Sequence, residues 1–161
     1  MSNILSQELP DSSRVWVYQA SRFLQENELL EIKKELMAFL SDWNAHGTRL
    51  SADARLVYDR FVVLMVDESQ AMASGCSIDK SVALVKSWEQ RFGLDFFDRM
   101  QILYKEGEEI KEQRMHDFWA MRKALLINDE TIVFNNLVSN KAEFESSWEV
   151  PFKDSWHSKM W

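Results

Sequence analysis

The residues best suited to chemistry lie in the segment Ala73-Ser-Gly-Cys-Ser-Ile-Asp-Lys-Ser81. Gly75 permits a tight turn before a predicted helix and would place Cys76 in the first turn of that helix. The unpaired N–H groups and the positive end of the helix dipole favour bound anions and activate thiols in such positions. Because Ser77 and Asp79 lie in the same turn, we predict that Gly75, Ser77 and Asp79 bind a ligand.

A nucleophilic cysteine also needs a general base. His46 is the candidate, since it falls in a predicted loop after the first helix, and Asp67 or Glu68 could orient its ring. The predicted catalytic set is therefore Cys76, His46 and Asp67. The alternative is structural, because cysteine is among the most buried residue types and Ser and Asp are ordinary helix caps. We favour a packed Cys76, because nothing in the linear sequence brings His46 to it.

A second group of candidate ligand-binding residues lies in the last third of the chain. Asn135 and Asn136 interrupt the apolar run from Ile132 to Val138. If buried, their amides must hydrogen-bond a neighbouring loop or line a pocket, and we favour the hydrogen bond. Trp156 belongs to an aromatic C-terminal segment, which should fold back over the domain, cover a pocket mouth or pack against a second subunit. The aromatic residues of this segment are Trp148, Phe152, Trp156 and Trp161.

Composition argues against several classes of protein. The chain of 161 residues has 19 Lys and Arg against 26 Asp and Glu, a net charge of −7, so we expect no nucleic-acid partner. Its single cysteine excludes an internal disulfide or a Cys-rich metal site, and the histidines have no metal-binding spacing, so we predict neither a metal nor a cofactor. The four glycines form neither a P-loop nor a G-x-G-x-x-G pattern, which argues against an ATPase.

The compartment is predicted from what the sequence lacks. No apolar run approaches the about 20 residues that a membrane-spanning helix needs. The first residues show no basic region followed by an apolar stretch, and the cysteine has no partner in the chain. We therefore expect a cytoplasmic protein without membrane insertion.

Strands and helices alternate in the predicted order of elements. Apolar and β-branched residues predict strands at 14–20, 61–66 and 99–105, with a weaker extended segment at 48–57. Apolar residues at helical spacing predict helices at 26–43 and before Gly93. The order β-α-β-β-α-β predicts an α+β fold, with a ferredoxin-like (split βαβ) core sheet carrying helices and a C-terminal α/β extension. The predicted core positions include Val17, Leu36, Phe61, Val63, Val82 and Val85.

The chain length suits one domain. Residues 1–13 are polar, contain Pro10 and lack periodicity, so we predict a flexible leader followed by a single α+β domain over residues 14–161. The charge-rich stretch at 106–114 is interpreted as a solvated loop or helix face.

Several sequence blocks spread along the chain carry a resemblance to known proteins. They are VWVYQ from Val15, WNAHGTRL from Trp43, RFVVLMVDES from Arg60, ASGCSIDKS from Ala73, DRM from Asp98, IVFNNLV from Ile132 and WEVPFKDSWHSKM from Trp148. These blocks resemble an uncharacterised family of small bacterial proteins, of Bacteroidetes type, often labelled "ABC transporter ATPase". The family has no established activity, so the resemblance implies no catalytic residue, and the absence of a P-loop argues against the label.

Two functions follow from these residues. The one we favour is a non-enzymatic module that binds a small molecule, an anion or a protein partner through the helix start and the aromatic C-terminal segment, with a homodimer left open. The alternative is a small cysteine-dependent hydrolase or transferase, with Cys76 as nucleophile and His46 as base. Contact between the Cys76 Sγ atom and the His46 ring would distinguish them.

Overall fold

The apolar run that begins at Phe61 forms the central strand of a three-stranded sheet in the computed structural model, which describes residues 2–160. This strand, β5 (Phe61–Asp67), lies between β1 (Arg14–Gln19) and β4 (Ser51–Val57) and is antiparallel to both. Its first six side chains are all buried. A strand covered on both faces does not alternate apolar and polar residues. The continuous apolar run therefore predicted this strand correctly.

Two helices pack on this sheet and share its apolar core. Helix α1 (Glu26–Asp42) buries the stripe Ile32, Leu36 and Leu40, as its spacing predicts. Helix α2 (Gly75–Phe92) begins after Ser74 and ends at Gly93, which adopts the left-handed conformation at φ +66°. The helix boundaries match the sequence prediction closely. Two predicted core residues, Val17 and Val82, are only half-buried.

The strand order β1-β5-β4 contains the predicted split βαβ unit. Strands β1 and β4 are parallel, α1 connects them in sequence, and β5 lies between them. Within residues 2–160, however, this sheet has no fourth strand of the ferredoxin-like kind, because the strand predicted at 99–105 pairs elsewhere. At the outer edge of β1, Arg14 forms a bridge with Asn140, and the Val15 N–H donates to the Ser139 carbonyl at 3.0 Å. The α+β class is confirmed, and the core sheet has three strands instead of four.

A second sheet forms from the later strands, in the order β7-β6-β8-β9. Its strands are β6 (Gln101–Glu106), β7 (Glu109–Arg114), β8 (Ile132–Phe134) and β9 (Glu149–Pro151). Gly107, at φ +63°, permits the two-residue turn that joins β6 to β7, and this local hairpin takes β6 away from the first sheet. The prediction of a solvated loop or helix face for the charge-rich stretch is therefore wrong for residues 109–114. They form β7, an edge strand whose charged side chains face water.

The remaining elements complete two compact units. Helix α3 (Met115–Lys123) follows β7, helix α4 (Lys141–Ser147) precedes β9, and two 3-10 helices, Phe152–Asp154 and Trp156–Met160, end the described chain. A short hairpin of β2 (Asn44–Ala45) and β3 (Thr48–Arg49) follows α1. One unit comprises the chain up to Phe97 with Ser139–Ala142, and the other comprises Asp98–Val138 and the chain from Glu143 onward. A single cooperative domain over residues 14–161 stays a prediction.

The predicted leader is hydrogen-bonded to the first sheet. The N–H groups of Leu5 and Gln7 donate to the Asp53 carboxylate at 2.8 and 2.9 Å, and the Ile4 N–H donates to the Ala54 carbonyl at 2.8 Å. Asp53 is fully buried on β4. These bonds attach the start of the chain to the free edge of β4 in the structure, while its flexibility in solution stays a prediction.

Candidate functional site

The start of α2 is a closed capping motif. The Ser74 Oγ accepts the Ser77 N–H at 3.2 Å, and the Ser77 Oγ accepts the Ser74 N–H at 2.6 Å. The Ser77 carbonyl in turn accepts the indole N–H of Trp43 at 2.8 Å. Ser77 is almost fully buried, so the hydrogen-bonding groups of this candidate ligand-binding residue are engaged within the protein.

Cys76 occupies a solvent-facing position in the first turn of α2. The favoured interpretation of a packed thiol is therefore wrong, because the rotation of the helix turns its neighbour Ser77 inward instead. Gly75 and Asp79 are also exposed. Nothing lies within 4 Å of a Cβ atom built on Gly75, and its φ is not positive, so the predicted glycine-dependent turn is absent here.

His46 lies at the tip of the β2–β3 hairpin, exposed to solvent. His46 and Gly47 have φ values of +52° and +82°, as in a two-residue type I′ turn. Strand β2 packs beside α2, so the hairpin belongs to the same end of the sheet as Cys76. No hydrogen bond joins Cys76 to His46 in the described chain.

The acidic residues at the end of β5 do not orient the histidine. The Asp67 carboxylate accepts the Ser69 N–H at 3.0 Å, and the Glu68 carboxylate accepts the Ala73 N–H at 2.8 Å. These bonds shape the loop between β5 and α2. The structure thus brings the predicted catalytic residues to one end of the first unit without assembling a hydrogen-bonded Cys–His–Asp arrangement among residues 2–160.

Asn135 and Asn136 make the structural hydrogen bonds that we favoured over a pocket. Strand β8 ends at Phe134, and the Asn135 side-chain carbonyl accepts the Leu137 N–H at 3.2 Å in the following turn. The Asn136 side-chain carbonyl accepts the indole N–H of Trp148 at 2.9 Å. Trp148 is 2% exposed, so this bond satisfies a buried donor.

The C-terminal segment packs within the second unit. Trp156 is partly buried and stacks on His157 with 3.9 Å between ring centroids. Its indole N–H is buried, and among the described residues it has no acceptor. The His157 Nδ1 atom lies 2.7 Å from the Ser155 Oγ, and burial lowers the pKa of the imidazole to about 4. Trp161 lies outside the described residues.

A different surface, which the sequence did not reveal, exposes three aromatic side chains at the far end of the first sheet. Phe23, Tyr58 and Phe97 are 47%, 41% and 40% exposed, and we name this surface the aromatic end. Its centre is the loop between β1 and α1. In that loop the Leu24 N–H donates to the Asp59 carbonyl at 2.8 Å, which fixes the loop beside the β4–β5 turn.

The loop is also tied to the segment that follows α2. The Ser21 N–H donates to the Asp95 carbonyl at 2.8 Å, and the Ser21 Oγ accepts the Asp95 N–H at 2.9 Å. Phe97 follows Asp95 and packs edge-on against the Tyr18 ring, with 5.6 Å between centroids. These contacts bring residues from three distant parts of the sequence onto one surface.

The buried Arg60 side chain hydrogen-bonds the backbone of the loop at the aromatic end. It is 2% exposed, and its Nε and Nη2 atoms donate to the carbonyls of Ala20 and Ser21, each at 2.9 Å. Its guanidinium carbon lies 4.8 Å from the centroid of the Phe23 ring. Hydrogen bonds from a buried guanidinium restrict the loop, so Phe23 is presented from a fixed backbone.

Tyr58 occupies the β4–β5 turn in an unusual conformation. Tyr58 and Asp59 have φ values of +55° and +54°, and the Arg60 N–H closes the turn on the Val57 carbonyl at 3.1 Å. Glycine, asparagine or aspartate is the usual choice at such positions, and a bulky aromatic residue is uncommon. The sequence predicts extended segments at 48–57 and 61–66, so a tyrosine in the short connection between them was the available signal for this surface.

Comparisons of the chain with protein-family models, curated proteins and solved structures found no match. The resemblance to the small bacterial family therefore stays a prediction.

Among residues 2–160, no group of three or more His, Cys, Asp or Glu side chains is placed to hold a metal ion. None of the described helices combines the length and the apolar character that crossing a membrane requires.

Proposed function

We propose that the protein is a non-enzymatic binding module whose aromatic end docks a partner protein. The observation that carries this proposal is the joint exposure of Phe23, Tyr58 and Phe97 on one surface. Aromatic side chains dominate the energy of protein interfaces because each buries a large area at a small cost in conformational entropy. Single exposed apolar residues need no explanation, whereas three exposed aromatic residues on neighbouring hydrogen-bonded loops indicate an interaction surface.

The rigidity of the aromatic end supports the same function. The loop between β1 and α1 is hydrogen-bonded to Asp59 on one side and to Asp95 on the other, and the buried Arg60 bonds its backbone from below. A surface that is ordered before binding loses less entropy on association. These contacts favour a preformed docking surface over a mobile loop.

A protein partner fits this surface better than the small molecule or anion that the sequence left open. Small-molecule sites enclose most of the ligand in a cleft, whereas each of these three side chains keeps at least 40% of its surface in water. The start of α2 is less suited to bind a ligand, because the Ser77 hydroxyl and carbonyl already bond to Ser74 and Trp43.

The enzyme alternative retains one observation in its favour, the accessibility of Cys76 in the first turn of α2. A catalytic thiol would react with iodoacetamide near neutral pH much faster than an ordinary exposed cysteine, and His46→Ala would slow it. We expect His46→Ala to leave the rate unchanged, because no hydrogen bond joins the two side chains in the described chain.

Site-specific photo-crosslinking tests the proposed function in the organism that carries the chain. A benzophenone amino acid replaces Tyr58 in one variant and Met72 in a control; Met72 is also exposed and precedes α2 at the opposite end of the sheet. We expect a discrete protein adduct from position 58 that position 72 does not give. A double Phe23→Ser and Phe97→Ser change should abolish this adduct without lowering the melting temperature by more than a few degrees.

Two results would contradict the proposal. One is the same set of adducts from positions 58 and 72, which would indicate random collision. The other is an adduct from position 58 that persists in the double serine variant, because a partner docked on the aromatic end must lose apolar contact area when Phe23 and Phe97 are replaced.

A further inference from the structure

We infer that the partner presents arginine side chains to the aromatic end, an inference that rests on the proposed function. Asp59 and Asp95 border the surface, and both residues are exposed. Neither carboxylate forms a hydrogen bond or an ion pair within the described residues. Each is nevertheless positioned by its backbone, because the loop between β1 and α1 bonds to the main chain of both residues.

The aromatic rings of this surface already accept cations from the protein itself. The Arg60 guanidinium carbon lies 4.8 Å from the Phe23 centroid, and the Lys86 ammonium lies 6.0 Å from the Phe97 centroid. A cation over a ring face is attracted by the negative charge density of the π-system. Because both rings remain 40% or more exposed, a second cation can approach each of them from solvent.

The basic side chains near this surface do not cancel the two carboxylates. Arg60 is buried beneath the loop. Arg22 is bound to Glu28 through two hydrogen bonds of 2.8 and 2.9 Å, and its Nη2 also donates to the Phe92 carbonyl. The carboxylates of Asp59 and Asp95 are therefore unpaired among the described residues, and the Lys86 ammonium lies over the Phe97 ring.

Arginine suits this combination better than lysine does. Its planar guanidinium stacks on an aromatic ring while its N–H groups bond a carboxylate in two-point geometry, and it is less strongly hydrated than an ammonium group. The net charge of −7 would also speed the approach of a basic partner. Polyanionic partners are disfavoured by the same charges.

Binding of defined peptides to the full chain tests this inference. The probes are fluorescein-labelled dodecapeptides in which glycine alternates with arginine, lysine or glutamate, at about 150 mM salt to screen diffuse attraction. We expect the arginine peptide to bind at least about threefold more tightly than the lysine peptide, and the glutamate peptide not to bind.

Matched variants distinguish binding at the aromatic end from attraction by the overall negative charge. The test variant combines Asp59→Asn with Asp95→Asn; asparagine tolerates the positive φ of residue 59. The control combines Asp11→Asn with Asp42→Asn, which makes the same change in net charge at the opposite end of the sheet, where the chain approaches β1 and where α1 ends. We expect about tenfold weaker arginine-peptide binding in the test variant and less than about twofold in the control.

A third variant, Phe23→Leu, keeps an apolar side chain but removes the aromatic ring. We expect it to lower the affinity for the arginine peptide about threefold and to reduce the preference over lysine. This variant retains both carboxylates, so it tests the inference even where the double asparagine change destabilises the protein.

Three outcomes would overturn the inference: no binding of the arginine peptide, equal affinity for arginine and lysine, or equal weakening by the test and control variants. The last would show that only net charge attracts the peptide. None of these outcomes removes a position-specific crosslink from residue 58, so the proposed function fails or stands by its own experiment.

Discussion

His157 is a buried titratable residue packed between aromatic side chains. Its ring is 3% exposed, lies between Trp156 and Phe118, and has the Ser155 hydroxyl as its hydrogen-bond partner. Among the described residues no carboxylate forms an ion pair with this ring, and burial lowers the pKa of the imidazole from 6.5 to about 4. The neutral ring is therefore part of the packed structure.

This burial predicts an acid-sensitive contribution to stability. Between pH 6.5 and 4 the unfolded chain binds a proton at His157 that the folded chain does not, so the free energy of unfolding falls as the pH drops. The contribution should be complete above about pH 6.5 and should total about 3 kcal/mol. Urea unfolding across this range should show a smaller decline for His157→Gln than for the native chain.

The exposed His116 provides the control for this measurement. His116→Gln should leave the pH dependence of the native chain intact. An identical decline in the native chain and in His157→Gln would show that the imidazole is solvated in solution.

At the scale of elements, the C-terminal segment is a structural part of the second unit. Strand β9 pairs with β8, and Phe152, the first residue after β9, is 1% exposed in the same apolar cluster as Phe118. The Phe152 N–H also donates to the Thr131 carbonyl at 2.7 Å. The sequence prediction of a folded-back aromatic segment is confirmed for the described part of the segment.

Phe152→Ala should destabilise the second unit by about 3–5 kcal/mol, because it leaves a cavity in a packed aromatic cluster. Lys153→Ala, which changes an exposed neighbour, should leave the free energy of unfolding nearly unchanged even though it removes the ion pair with Glu130, because exposed ion pairs are screened by water. Urea unfolding gives both values. Rapid trypsin cleavage after Lys153 or Lys159, with no loss of melting temperature, would contradict a packed segment.

At the scale of the whole molecule, the first unit depends on the burial of β5. Leu64 faces the core cluster of the unit and lies opposite Trp16 and Ala54, whereas Val63 lies opposite Val17 and Arg55. Both side chains are buried, but only Val63 has a cationic cross-strand neighbour. The same substitution at the two positions therefore has different consequences.

Leu64→Asp should unfold the first unit, because it buries a charge with no cross-strand cation. Val63→Asp should be milder, because Arg55 is within cross-strand reach of the new carboxylate. Hydrogen exchange in β1, β4 and β5 measures both variants. Retained protection in Leu64→Asp would show that water reaches the interior of this sheet.

Local physics made several parts of the molecule predictable from sequence. The period of apolar residues and the caps Ser74 and Gly93 marked the helices, because backbone hydrogen bonds in a helix connect near neighbours. The continuous apolar run marked β5, because a central strand needs cover on both faces. The α+β class follows from these elements.

Only the tertiary structure decided which strands pair with each other and which side of a helix is buried. Strand β6 could have joined the first sheet as its fourth strand or paired with β7. The tight turn at Gly107 favours β7, which is close in sequence. Cys76 and Ser77 are adjacent and similar in size, yet packing of α2 on Trp43 buries Ser77 and exposes Cys76. Such choices depend on contacts between distant residues, which no local pattern records.

The aromatic end shows the same limit at the level of function. Phe23, Tyr58 and Phe97 are spread over more than seventy positions, and each alone is an ordinary aromatic residue near the end of an element. They share a surface because Ser21, Leu24 and Arg60 bond three loops together. The sequence by itself determined the two helices of the first unit, the central strand and the acidic charge, whereas long-range hydrogen bonds and side-chain packing decided which residues face a partner.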